Sequence, residues 1–306
     1  MSQIYYSDYA DYYYLQYERS DVKDSIIPLI RPLINFGWAH GKGVKWGNEF
    51  GKAVELTWSI ASSKSFFTEW HHNWSPPIND RLTTDPSQEE IEAISSIFQI
   101  WSKFANINFN FIEEDKNSKG NIRTIFIDMG NTGIAYLAPT GEFHINNNLR
   151  SDLINKSNRF AEHIVSHEIG HAVFGLNDVS ISHGWDINNG DNALLLPWHL
   201  NNQKWTVMSY ITEGNKEAIS PMILDILAIQ KIYGANNTTG EGNTLYQWDS
   251  NAFETIWDVS GNDTIDLSNF DDDINFQTES GNIIEINENN VIGIAFNVDI
   301  ENFIGG

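Results

Sequence analysis

An α+β fold is predicted for this chain of 306 residues, and three observations predict it. Two segments, near 88–104 and 158–174, place apolar residues at helical spacing. Between and before them lie short stretches that alternate apolar and polar residues at the strand period. After residue 240 the texture changes to strand-like pieces separated by Gly, Asn and Asp turns.

The elements follow in order. Residues 1–50 are a mixed N-terminal segment with a Tyr-rich opening and a Gly-rich stretch at 37–47. Val54, Leu56, Trp58 and Ile60 alternate as a strand. Ser87 and Glu90 form a capping box opening a helix whose stripe is Ile91, Ile94, Ile97, Phe98, Trp101 and Phe104. Strands are expected at Ile107–Phe111, Ile122–Met129, Ala135–Leu137 and Glu142–Ile145. The second helix spans Asn158 to Phe174 and stops at Gly175, a residue suited to the left-handed cap. A polar loop fills 176–204, and Pro221–Tyr233 is a third helix. The expected units are 1–50, a segment that is in part a propeptide, 51–238, and 239–306.

Composition narrows the function. With 41% hydrophobic residues and 39 aromatics the chain can build a core, and its length suits about two domains. A formal net charge of −23 disfavours nucleic acid and anionic membranes as partners. Without cysteine there are no disulfides or thiolate sites, so a metal must sit on His, carboxylate, Tyr or carbonyl oxygen. No apolar run is long enough to span a bilayer, and the N-terminus does not read as a classical signal peptide. That leaves cytoplasmic residence or export without an N-terminal signal.

The sharpest motif is HEIGH at 167–171. On a helix His167 and His171 are one turn apart on the same face, so both imidazoles can reach one ion. Phe160 and Ile164 are expected to continue that stripe into the core. Glu168 lies one step round, where its carboxylate can take a proton from a water that zinc activates.

HEIGH, Gly175 and TVMSY at 206–210, followed by AIQKIYGAN at 228–236, TIWDVSGNDTIDLS at 255–268 and IENFIGG at 300–306, resemble the serralysins, a subfamily of the metzincin zinc peptidases, over roughly residues 50–306. The resemblance implies a mixed twisted sheet with two long helices and zinc in the cleft, followed by a small all-β calcium-binding region. It implies that Met208 is the methionine beneath the metal, and that Tyr210 ligates zinc at rest and stabilises the oxyanion during hydrolysis. The sequence departs from the family's HExxHxxGxxH, since Gly175 comes one residue late and no His follows at the usual place. Either Asp178 is the third ligand, or a longer loop delivers His183, or the site is degenerate.

One calcium site of the family maps onto Gly240, Gly242, Thr244, Asp258, Ser260, Asp263, Asp299 and Glu301, oxygen donors from three loops. Fourteen acidic residues and no Lys or Arg follow residue 240, and their mutual repulsion favours a bound cation. The sequence ends at IGG, where the family's glycine-rich repeats begin; either the protein is naturally short or the sequence is cut there, and the export route stays open. The resulting expectation is a secreted, bacterial, monomeric zinc endopeptidase. Its partners would be extended protein or peptide substrates and a proteinaceous inhibitor, with substrate pairing along Gly133–Leu137. A weak or inactive protein-binding module and a calcium-dependent adhesion module are the alternatives.

Overall fold

A five-stranded mixed sheet carries the N-terminal part of the computed structural model. The structure describes residues 14–17, 32–34, 43–47, 49, 51–68, 71, 84–136, 140–156, 158–179, 196–212, 214–249, 251–272, 274 and 279–305. Leu137, His183 and the first thirteen residues therefore lie outside the described residues.

A short antiparallel pair, β1 (Tyr14–Tyr17) and β2 (Gly43–Trp46), precedes the sheet. The sheet comprises β3 (Val54–Ile60), β4 (Ile107–Phe111), β5 (Ile122–Ile127), β6 (Gly133–Ala135) and β7 (Glu142–Asn146). Its order is β4-β3-β5-β7-β6. All neighbours are parallel except β6, which runs antiparallel to β7 and forms one edge.

Helix α1 (Gln88–Ser102) begins with the expected capping box, the Ser87 N–H donating to Glu90 Oε2 at 2.7 Å. Its buried stripe, Ile94, Ile97, Phe98 and Trp101, packs on the sheet, where the Trp58 and Phe98 rings are 4.9 Å apart. Helix α2 (Arg150–Asn155), which the sequence patterning did not reveal, precedes α3 (Arg159–Ala172). Trp101 stacks on Phe174 at 4.5 Å and donates its indole N–H to Ser166 Oγ at 2.9 Å, tying α1 to α3. Burying an indole this completely stabilises by roughly 3 kcal/mol.

Helix α4 (Ile223–Tyr233) is buried on nearly every face. After it come two three-stranded sheets. One is all parallel, of β8 (Leu245–Gln247), β10 (Thr264–Asp266) and β13 (Asn302–Ile304). The other joins β9 (Phe253–Ile256), β11 (Ile283–Asn287) and β12 (Asn290–Ile294).

The hydrophobic core is continuous across the expected boundary near 238: Met222, Ile229, Phe253 and Ile292 share one cluster. It also takes in Leu33, Ile34 and Trp46 from the N-terminal segment. The Trp46 backbone N–H donates to Tyr233 Oη at 3.1 Å, and that hydroxyl donates to the Val173 carbonyl at 2.8 Å.

Candidate metal centre

Helix α3 carries the centre. Asn158 caps it by accepting the Phe160 N–H at 3.0 Å, which satisfies one of the orphan donors at a helix start. At the other end Gly175 takes φ 64°, the left-handed conformation that turns the chain back towards His171. One expectation is corrected: Phe160 is 38% exposed and does not continue the buried stripe, because it sits in the first turn at the surface. The buried position on that face belongs to His163, with Ile164 beside it.

His163 shows what a structural histidine looks like. Its Nδ1–H donates to the Ala218 carbonyl at 2.7 Å, and Nε2 accepts from the Gln203 amide at 3.2 Å. Burial, followed by the nearby charge of His167, lowers its pKa to about 3, so the ring stays neutral.

His167 and His171 are arranged differently. Nδ1 of His167 donates to the Val207 carbonyl at 3.0 Å, and Nδ1 of His171 to the Leu176 carbonyl at 2.7 Å. A carbonyl can only accept, so the proton sits on Nδ1 and both Nε2 atoms are left facing the cleft. They are 3.1 Å apart, and Asp178 Oδ1 lies 3.0 Å from the first and 3.3 Å from the second. The edges of a tetrahedral zinc site with ordinary bond lengths are roughly 3.3–3.6 Å. The donor set therefore fits a zinc ion with little adjustment. Among the described residues this is the one group of three His or carboxylate ligand atoms within 4.8 Å of one another.

Electrostatics agree with a site built for a cation. Burial alone would raise the Asp178 pKa, but hydrogen bonds and charge from His167 and His171 hold it well below the carboxylate range. Burial opposes a charge on His171, yet the hydrogen bond to Asp178 and its charge, with that of Glu168, lift it to about 9.

Residues not singled out from sequence hold the ligands in place. Asp225, fully buried on α4, accepts from Thr206 Oγ1 at 2.6 Å, the Val207 N–H at 2.7 Å and the Met222 N–H at 2.9 Å. It thereby fixes the carbonyl that orients His167. Burial raises its pKa to about 6 against those three hydrogen bonds. The signal was present: a lone Asp in the apolar run ILDILAI requires partners. The Leu33 carbonyl accepts the Asn177 N–H at 2.6 Å and Ile34 bridges Leu176, bracing the stretch that carries Asp178. Nothing in the sequence around Leu33 marks that contact.

Glu168 is buried beneath β6, and its Oε2 has no hydrogen-bond partner among the described residues. Burial raises its pKa, with the neighbouring imidazoles working the other way. Met208 is fully buried under α3, its sulfur filling the space left by Gly170, where an added Cβ would come within 2.5 Å of Sδ. The Tyr210 ring lies 5.4 Å from that of His167, half exposed, with its hydroxyl donating to Asp178. His183 lies outside the described residues.

A second His–His–carboxylate trio sits on the face of β7 opposite Phe143 and Ile145. Glu142 Oε1 meets His144 Nε2 at 2.7 Å and Oε2 meets His71 Nε2 at 3.0 Å. Arg123 adds a guanidinium at 3.5 Å and pairs with Glu114 at 2.7 Å. Burial would raise Glu142, but the two imidazoles and Arg123 hold it well below its ordinary value.

In the C-terminal part, Gly240, Gly242, Thr244, Asp258, Ser260, Asp263 and Glu301 come together around the starts of β8, β10 and β13. Asp258 accepts from Tyr246 Oη at 2.6 Å and the Ser260 N–H at 3.0 Å. Asp263 accepts the Thr244 N–H at 2.8 Å and donates its own N–H to Glu301 at 2.7 Å. Burial and the charges of Asp258 and Glu301 raise Asp263. A Cβ at Gly240 would crowd the Asp258 carboxylate, so these loops pack tightly. Asp299 is exposed at the rim.

A helix bearing HEIGH lies beneath an antiparallel edge strand and is followed in the chain by a β-rich region, and the chain is similar to serralysins. Residues 224–306 match the family described as the peptidase M10 serralysin C-terminal domain. A serralysin from Photorhabdus sp. (strain Az29) is 30% identical over 94% of this chain and 62% of its own length. Serralysin C of Dickeya chrysanthemi is 29% identical over 86% of this chain and 60% of its own. The chain thus spans about three fifths of the length of these curated relatives. Among solved structures, myroilysin aligns with a TM-score of 0.38 and 17% identity, over 63% of this chain and 96% of that one.

Proposed function

We propose that the protein is a secreted zinc-dependent endopeptidase of the metzincin kind that hydrolyses peptide bonds of extended protein substrates. The observation that carries this reading is the convergence of two Nε2 atoms and Asp178 Oδ1, with both Nδ1 atoms anchored on carbonyls. His167, His171 and Asp178 would hold the ion, with Tyr210 beside them. Bound zinc supplies Lewis acidity, which makes an adjacent water acidic enough to be deprotonated near neutral pH.

The chain's own groups do the rest. Glu168, with its raised proton affinity, takes the proton from the attacking water and later delivers it to the leaving amine. The Tyr210 hydroxyl, kept protonated by burial and by Asp178, donates to the carbonyl oxygen as negative charge develops there. The edge of β6, Gly133–Ala135, which pairs with no second strand among the described residues, offers backbone groups that pair with an extended substrate. No helix among the described residues is long and apolar enough to cross a membrane.

Behind the catalytic part, Gly240, Gly242, Thr244, Asp258, Ser260, Asp263, Asp299 and Glu301 would hold calcium. Partners are protein substrates and a proteinaceous inhibitor, with the enzyme acting as a monomer.

The test combines metal analysis with casein hydrolysis. Purified protein should hold one zinc and hydrolyse casein. Glu168→Ala should keep the zinc and lose at least about 100-fold in rate, the lower limit typical of a lost general base. Zinc-loaded protein that cleaves nothing would instead establish a protein-binding module.

A further inference from the structure

We propose that Gly133 is a positioning residue for Glu168: its missing side chain lets β6 close over the carboxylate and hold it in one orientation. The inference rests on the peptidase reading for its consequence, though not for its geometry.

Gly133 pairs with Ile145 across the edge of the sheet, and its φ is not positive. Any residue could therefore adopt this backbone, so the position uses the absence of a side chain rather than conformational freedom. A Cβ placed there would stand 2.9 Å from both Cγ and Cδ of Glu168, and nearer still to Oε1. These are closer than non-bonded carbons approach. Gly133 is tied into β7, so the Glu168 side chain is the partner that a methyl group here would push out of place.

The wall matters because Glu168 has little else to steer it. Its Oε2 is buried without a hydrogen-bond partner among the described residues. Packing against the bare backbone of β6 thus sets the direction of the carboxylate. The same closeness keeps bulk water off Glu168 while leaving the strand's edge free for substrate. One glycine serves both the base and the peptide above it.

Gly133→Ala in the full chain, with and without Glu168→Ala, tests this. In a strand with ordinary φ, Gly→Ala normally stabilises slightly. Here Gly133→Ala should lower the melting temperature by about 3 °C or more. That loss should vanish when Glu168 is also Ala, because the crowded atoms are then gone. In the single variant zinc content and KM should stay near wild type while kcat falls about 100-fold, the effect of a reacting group displaced by about 1 Å.

A melting loss that persists in the double variant, or a double variant that does not fold, overturns the assignment. So does a raised KM with kcat intact, which would put Gly133 on the substrate side alone. A wild type that cleaves nothing sinks the peptidase reading, while the melting cycle still decides whether Gly133 makes room for Glu168.

Discussion

Two trios in this protein share one composition and reach opposite ends. His167, His171 and Asp178 bring two Nε2 atoms and one Oδ1 to one spot, because both Nδ1 atoms are already committed to carbonyls. His71, His144 and Glu142 turn inward on the carboxylate, His144 meeting one oxygen and His71 reaching both, with Arg123 beside them. The first trio is partly open, with the His171 side chain 16% and that of Asp178 11% exposed. The second is fully buried and neutralises itself. Residue types that can bind metal are thus common to both, and only the second layer of hydrogen bonds separates a ligand set from an ion-pair network.

The largest expected effect comes from breaking the second trio. Glu142→Ala leaves two imidazoles buried without their anion and Arg123 with Glu114 alone, which should cost about 3–5 kcal/mol of stability in urea unfolding. Whatever fraction stays folded should keep full zinc content. Asp178→Ala should do the reverse, lowering zinc affinity more than about 100-fold, beyond what loss of an outer partner causes. The melting temperature of its metal-free form should stay close to that of metal-free wild type. If Asp178→Ala keeps zinc and an additional His183→Ala loses it, the third ligand is His183.

The acidic loops at β8, β10 and β13 sharpen the contrast, since they gather carboxylates with neither His nor Arg to balance them among the described residues. A calcium-selective chelator should lower stability by about 3 kcal/mol if calcium was present at 100 times its Kd. Asp263→Ala should show no such response.

His163 adds a pH dependence to the comparison. Its folded pKa lies below its ordinary value of about 6.5, at about 3. Its contribution to stability is therefore present above pH 6.5 and is lost as pH falls towards 3. Wild type should lose melting temperature between pH 6.5 and 4 more steeply than His163→Gln does.

Much of this was legible in the sequence. The capping box Ser87/Glu90, the stripe from Ile94 to Trp101 and the alternation from Val54 to Ile60 are local signals, and each became the element it predicted. The spacing of His167 and His171 fixed their common face because a helix has one period. Asp178 could be ranked but not chosen, since the path of the chain after Gly175 depends on Leu33, which lies far away in sequence. Phe160 was misplaced for a related reason: an apolar residue in the first turn of a helix is buried only if something covers that end. Helix α2 is too short to show periodicity, and the bare surface at Gly133 takes its meaning only from the carboxylate opposite.

The bracing of the centre also bears on how the chain is made. Leu33 closes on Asn177, Trp46 on Tyr233, and Asp225 reaches back to Val207. Contacts so distant in sequence form slowly, because long loops must close before they contribute. During synthesis the pocket cannot be completed until Asp225 and Tyr233 have left the ribosome, some fifty to sixty residues after the second histidine of HEIGH. Until then His167 lacks the Val207 carbonyl as Asp225 fixes it, whereas the Leu176 carbonyl that orients His171 follows that residue closely in the chain. Completion of the centre therefore marks the end of folding instead of its beginning.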